Sequence, residues 1–266
     1  MESFPFGMPV EPLTQSDRGH KRVFVLGVYA SAVHARWLGE DGRTKVTALA
    51  VASEPEIFWR GEGAAGIISA IPVPPGAGRL LPAGARLNGP SGRALDELFL
   101  DPLGVGRADS WLCDLLPLSR QNERQAAALA RSYEPNRLAW GLPEYDWPAV
   151  PAELASAARR AEIAHEIDEA APDIIVTLGD QPLKWFTSHY GSRARLGDYG
   201  ESAQEYGRLH SLEIAGREVQ LLPLVHPRQA GGLGNHSSKW ADLHARWVGE
   251  VAGSLLAGTR SPAVDP

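Results

Sequence analysis

The sequence predicts one α/β domain built on a central, mostly parallel sheet flanked by helices. Three observations carry that expectation. Short apolar runs near residues 22, 46, 111, 174 and 219 read as buried strands. Helical stretches, marked by apolar spacing or a capping residue, alternate with them, as in parallel α/β folds. The 266 residues, 44% hydrophobic and 22% charged, supply an ordinary core, and no internal repeat or low-complexity tract interrupts them.

Residues 1–20 carry prolines and polar residues without a period and read as an N-terminal arm. That leaves 21–256 as the domain and 257–266 as a flexible tail. Residues 22–27 form the first strand, which ends at Gly27. A loop of mostly small residues follows at 28–32, with His34, Arg36 and Trp37 beyond it. The turn at 39–42 leads to a second strand at 45–52. Prolines and glycines make 71–92 mostly loop, and Ser91 can cap a helix through Ala94, Leu95, Leu98 and Phe99. Residues 111–116 form a third strand, and a helical stretch runs over 123–131 after an opening at 119–122. The aromatic and proline content of 133–150 reads as an irregular connection. Leu154, Ala158, Ala161, Ile163, Ala164 and Ile167 give 151–170 helical spacing. Residues 173–179 are a fourth strand, and Asp180-Gln181-Pro182 is a helix start with proline in its first turn. After a polar loop at 192–206, a hairpin joins 209–214 to 218–225 through Gly216. Its second strand breaks at His226-Pro227 into a glycine-rich loop without an acid, and Ser237-Ser238 caps a helix through Trp240, Leu243, Trp247 and Val251.

Composition excludes several classes. A lone cysteine, Cys113, rules out an intrachain disulfide framework and any metal or cluster site built from several cysteines. It fits a cytoplasmic location, as does an N-terminal stretch without the pattern of a secretory signal. No apolar run approaches membrane-spanning length. His226 and His236 lack acidic or thiol neighbours in sequence, so neither a metal nor another cofactor is expected. The net charge of -6 argues against a non-specific nucleic-acid coat and leaves room for a local basic groove.

Three strand ends stand out: Gly27-Val28-Tyr29-Ala30-Ser31, Cys113-Asp114-Leu115-Leu116-Pro117 and His226-Pro227-Arg228. In a parallel sheet such ends share one edge, where α/β proteins place ligands. In order and spacing they resemble the motifs of the uracil-DNA glycosylase superfamily, and the likeness runs from about residue 22 to residue 251. Residues 25–31 resemble the family's first motif, a strand followed by GQDPYHG or GINPG. Residues 111–120 resemble the strand that carries its base-reading Asn. His226 to Ala230, with Gly234-Asn235-His236-Ser237, resembles its HPSPLS loop. Pro72 to Pro75 fall where the family presses a proline loop on the DNA backbone, and Gly179-Asp180 where it has a Gly-Ser phosphate contact.

The departures shape the reading. Tyr29 stands where the family has a water-positioning Asp or Asn. Ser31, between Ala30 and Ala32, replaces the Tyr that blocks the C5 side of the base, and Val51 replaces the stacking aromatic. Asp114 replaces the base-reading Asn. An amide both donates and accepts, which suits uracil N3–H and O4, whereas a carboxylate only accepts and suits an exocyclic amine such as cytosine N4. The resemblance with these changes implies a monofunctional glycosylase that flips a 5-substituted cytosine from duplex DNA, of the hydroxymethyl or glucosyl-hydroxymethyl type. Such bases occur in phage DNA, which points to host defence. The chain would act as a monomer, without a membrane partner.

In that scheme His226 and Asp114 are the catalytic candidates. Gly27, Val28, Tyr29, Ala30, Ser31 and Val51 form the base pocket. Pro74, Pro75, Gly179, Arg228, Gln229, Ala230, Leu233, His236 and Lys239 meet the backbone or wedge the stack. Ala230, at the wedge position, is short, and Gln229 or Leu233 replaces it. Asp114 or Glu54 is the acid nearest the motifs for activating water. Two rival readings are a glycosylase-fold protein that only binds nucleic acid or a nucleotide, and a glycosylase for uracil or other deaminated bases. Plainer roles compete as well. His226 could bond a loop carbonyl, Asp114 could cap a helix or pair with Arg120, Asp180 could be an N-cap, and Arg159-Arg160 a solvated helix face.

Overall fold

A computed structural model describes residues 1–233 and 238–256. The expected motif 234–237, with His236, and the expected tail at 257–266 lie outside the described residues. Eight strands follow in chain order among the described residues: β1 Val23–Tyr29, β2 Ala32–Leu38, β3 Thr44–Ser53, β4 Arg79–Pro82, β5 Ser110–Leu116, β6 Ile174–Leu178, β7 His210–Ile214 and β8 Arg217–Leu224. The α/β class holds, with a central five-stranded, mostly parallel sheet ordered β5-β1-β6-β8-β7. The residues cluster into two compact units, each assembled from three stretches of chain.

The larger unit holds the described residues of 15–28, 93–115 and 153–256 and carries the central sheet. β1 runs parallel to β6, and β6 parallel to β8, so Leu26, Thr177 and Pro223 stand in one row. β7 returns antiparallel to β8. Ala215 and Gly216 close that hairpin, both with positive φ (52° and 82°), the two-residue turn whose twist suits the strands. The strands are apolar because both faces are covered; every residue of β6 is buried. The helix Ala157–Ala170 begins at Ser156, whose side chain accepts the Arg159 N–H, and ends where Ala171 turns left-handed. The helix Ser238–Glu250 buries Leu243, His244 and Trp247 along one stripe.

The second unit comprises residues 1–14, 29–92 and 116–152. Its sheet is antiparallel, in the order β3-β2-β4. This corrects the expected single sheet, because the apolar run near 46 pairs here and not in the central sheet. Periodicity marks a strand but does not name its partner. β2 forms just beyond the expected loop at 28–32, over residues for which no element was expected, and β4 lies inside the Pro/Gly-rich stretch. The first residues are not an arm. Phe4, Phe6 and Val10 are buried in this unit's core beside Trp37 and Tyr133. Phe6 meets the Trp37 and Tyr133 rings edge-on, each at 5.4 Å. β3 is an edge strand, and the Gln125 amide covers it by accepting from Ala50 N–H and donating to Ala48 O.

Among the described residues no helix is long and apolar enough to cross a membrane, and no group of three or more His, Cys, Asp or Glu could hold a metal ion.

Candidate functional site

In the larger unit the parallel register brings the C-terminal ends of β1, β6 and β8 to one edge of the sheet. Gly27 and Val28 follow Leu26, Gly179 follows β6, and His226 follows β8. Ala30 N–H donates to Leu116 O at 3.2 Å, so the ends of β1 and β5 are neighbours too.

His226 sits where the strand breaks and Pro227 starts the short helix Pro227–Ala230. Proline has no N–H and suits a first helical position. The His226 Nδ1 caps that turn by accepting the Arg228 N–H at 3.2 Å, and the His226 carbonyl accepts from Gln229 N–H and Ala230 N–H. Burial, with the Arg228 charge added, pushes the imidazole pKa down to about 4. The ring is therefore neutral at pH 7, and since Nδ1 is an acceptor, the proton resides on Nε2. His226 presents one N–H donor without a positive charge. It does not spend this group on a structural loop carbonyl among the described residues.

Gly179 stands directly behind it. Its φ is +82°, and a Cβ there would lie 3.5 Å from the His226 Cβ. Its N–H donates to Leu224 O at 2.7 Å, which ties the end of β6 to β8 and takes that amide away from any phosphate. Asp180 is exposed and does not cap the helix Asp180–Trp185; its Oδ1 accepts the Leu196 N–H at 2.8 Å.

A cleft of about 430 Å³ opens beside Gly179 and Gln229, lined also by Asp180, Arg195, Asp198, Glu201 and Trp240. Three carboxylates against one guanidinium make it a poor place for a phosphate. Lys239, expected as a phosphate contact, instead pairs with Glu201. Arg228 is exposed and Gln229 and Ala230 are half-buried. Leu233 is 36% exposed, a large apolar side chain on the loop surface.

Asp114 lies on β5, 5% exposed. Its neighbours Trp111 and Cys113 point to the helix Ala157–Ala170, where Trp111 Nε1–H donates to Glu166 at 2.9 Å and Arg159 reaches Cys113 Sγ at 3.1 Å. By strand alternation Asp114 faces the other way. Arg159 also donates to the main-chain oxygens of Asp114 and Leu115, not to the Asp114 carboxyl. Burial pushes that carboxyl up to about 7, with the Arg159 charge working against the rise. Asp114 neither caps a helix nor pairs with Arg120, which binds Glu2 instead. The accept-only argument therefore needs a refinement: near neutral pH the carboxyl is shared between an ionised form and an acid that can also donate. Arg159 is not the solvated residue expected from sequence, since it joins β5 to Glu162 and Glu166. An Arg with Glu three and seven residues on was the legible signal for that network.

The remaining expected residues lie in the second unit. Tyr29 is 37% exposed at the end of β1, Ser31 is exposed and Ala30 buried. Pro74 is half-buried and Pro75 exposed in a turn that Pro74 O and Ala77 N–H close. Val51 is a correction. It is fully buried in the apolar core, with no face to offer a base. Glu54 is buried.

Sequence reasoning missed a buried pair in the larger unit, Tyr206 and His244, joined at 2.8 Å. No motif marks it, and 38 residues separate the partners. Compared with models of known protein families the chain matches none, and it matches no curated protein.

Proposed function

We propose that this chain is a DNA glycosylase of the uracil-DNA glycosylase superfamily that extrudes and excises a cytosine substituted at C5, of the hydroxymethyl or glucosyl-hydroxymethyl type. One observation carries the reading most. His226 follows a parallel strand at the sheet edge shared with Gly27 and Gly179, and its neutral Nε2–H has no partner among the described residues. A neutral imidazole suits a leaving base whose O2 gains negative charge, because its Nε2–H donates a hydrogen bond to that oxygen as the charge develops. Water adds to C1′ of the sugar, the bond from C1′ to the base nitrogen breaks, and the base leaves with the bonding pair. One proton from the water is left for the departing base. One such donor is worth roughly 3–4 kcal/mol of barrier.

Asp114 is the base reader in this scheme. Ionised, it accepts from an exocyclic amine and turns away uracil O4. Protonated, it can donate and accept as an amide does, so uracil becomes acceptable as pH falls below about 7. Duplex DNA is the partner, Arg228 meets its backbone and Leu233 fills the vacated stack. The protein works as a monomer in the cytoplasm, where a lone cysteine is at home, and a defence against phage with modified DNA is the matching role.

The test uses duplexes carrying one uracil, cytosine, 5-hydroxymethylcytosine or glucosylated 5-hydroxymethylcytosine, followed by alkaline cleavage of abasic sites. Strand breaks at the modified cytosines are expected. Breaks at uracil alone would make it a glycosylase for deaminated bases. Binding without breaks anywhere would make it the binding protein that Tyr29, in place of the usual acid, also allows.

A further inference from the structure

The backbone that delivers His226 is held by a buried relay. Val225 N–H, one residue before His226, donates to the Tyr206 hydroxyl oxygen at 3.0 Å. That oxygen lies 2.8 Å from His244 Nδ1, and His244 Nε2 lies 2.9 Å from Leu98 O. A carbonyl only accepts, so Nε2 carries the proton and Nδ1 is bare. Tyr206 O–H must then donate to Nδ1, and its oxygen is left to accept from Val225. The directions are fixed along the whole chain of bonds. Leu98 O is open to His244 for a covalent reason: four residues on stands Pro102, which has no N–H for it.

The surroundings lock the relay in place. Tyr206 is 2% exposed and His244 1% exposed. The His244 ring rests on Phe99 at 4.3 Å and on Trp247 at 5.1 Å between centroids. Trp247 Nε1–H donates to Gly207 O at 3.2 Å, next to Tyr206. A Cβ on Gly207 would strike the Trp247 ring at 2.2 Å, so only glycine lets the ring lie there. A plain apolar core would fill this space at lower cost, because each polar group here has had to leave water and find a partner. The main-chain group at the end of the relay is the one adjoining His226.

We propose that Tyr206 and His244 are positioning residues for His226: by clamping Val225 N–H they fix the corner at which the imidazole is presented. The inference rests on the reading of His226 as the leaving-group donor. A small misplacement of a reacting group costs up to about a hundredfold in rate, whereas ground-state binding spread over many contacts scarcely notices it.

The test compares three variants of the full chain on a 5-hydroxymethylcytosine duplex under single turnover, each at a temperature where it is fully folded. Tyr206→Phe removes the hydroxyl and should slow excision by about ten- to a hundredfold while duplex affinity stays within about twofold. In His244→Asn the side-chain oxygen can stand in for Nδ1 and should restore most of the rate. His244→Gln, which can reach Leu98 O but leaves Tyr206 without its acceptor, should not. Amide exchange gives a readout independent of activity: Val225 and Arg228 should lose protection in Tyr206→Phe while Ile174 to Val176 keep theirs. If Tyr206→Phe excises at the wild-type rate, or if both His244 variants lose equally, the positioning role is overturned. If the wild type excises nothing while Val225 and Arg228 respond as expected, the glycosylase reading fails and the clamp on His226 stands.

Discussion

At His226 the two ring nitrogens have separate duties. Nδ1 holds the Arg228 N–H and so fixes the tautomer, while Nε2–H has no partner among the described residues and is the proposed donor to the leaving base. His226→Ala should therefore slow excision by about a hundred- to a thousandfold and leave duplex binding almost unchanged, which single-turnover rates and a binding titration separate. Asp114 carries a different liability. Its carboxyl stands at about 7 against an ordinary 3.8. A carboxyl raised in the folded state stabilises most below its unfolded value, and that stability is lost as pH rises to about 7. Asp114→Asn should thus gain on the wild type between pH 4 and 7, reaching up to about 4 kcal/mol and levelling off above it. His226 and His244, both depressed to about 4, act in the opposite sense, stabilising above pH 6.5 and less as pH falls to 4. They are common to both proteins and cancel in the difference. Denaturant melts across that range check the sign; a difference that shrinks as pH rises contradicts it.

At the scale of elements, the site depends on how β6 and β8 finish. Gly179 tolerates its positive φ of 82° beside His226, so Gly179→Ala should cost about 1–2 kcal/mol and lower excision as well, read from melts and rates together. The loop after the short helix carries Leu233. Leu233→Ala should slow excision from duplex several-fold and spare a single-stranded substrate, where no stack needs filling; equal loss on both would remove it as the wedge. The ends of β5, β6 and β8 were legible in the sequence because these apolar runs stop at proline, glycine or His-Pro, whereas β1 continues through its expected end at Gly27 to Tyr29. β2 was passed over. Its alternation of Val33, Ala35 and Trp37 with His34 and Arg36 has the period of a half-buried strand, while its partners come from two other strands that sequence distance hides. The Tyr206 and His244 relay was equally hidden, since its pairing arises only when the helix Ser238–Glu250 packs in the larger unit.

For the whole molecule, the class of fold follows from local pattern, but the allocation of strands to sheets does not. The run near 46 had the composition of any buried strand, and only tertiary pairing placed it in the antiparallel sheet. Phe4, Phe6 and Val10 likewise looked aperiodic and became core, because three apolar residues among prolines carry no period to read. Asp114 was legible as a residue and not as a charge state, since only burial sets its pKa. The central claim is that Asp114 reads the base in a site where His226 assists its departure. The most direct measurement is the ratio of excision rates on 5-hydroxymethylcytosine and uracil duplexes at pH 8, where Asp114 is mostly ionised, for the wild type and Asp114→Asn. The wild type should favour the modified cytosine and Asp114→Asn should favour uracil. An unchanged ratio would contradict the claim.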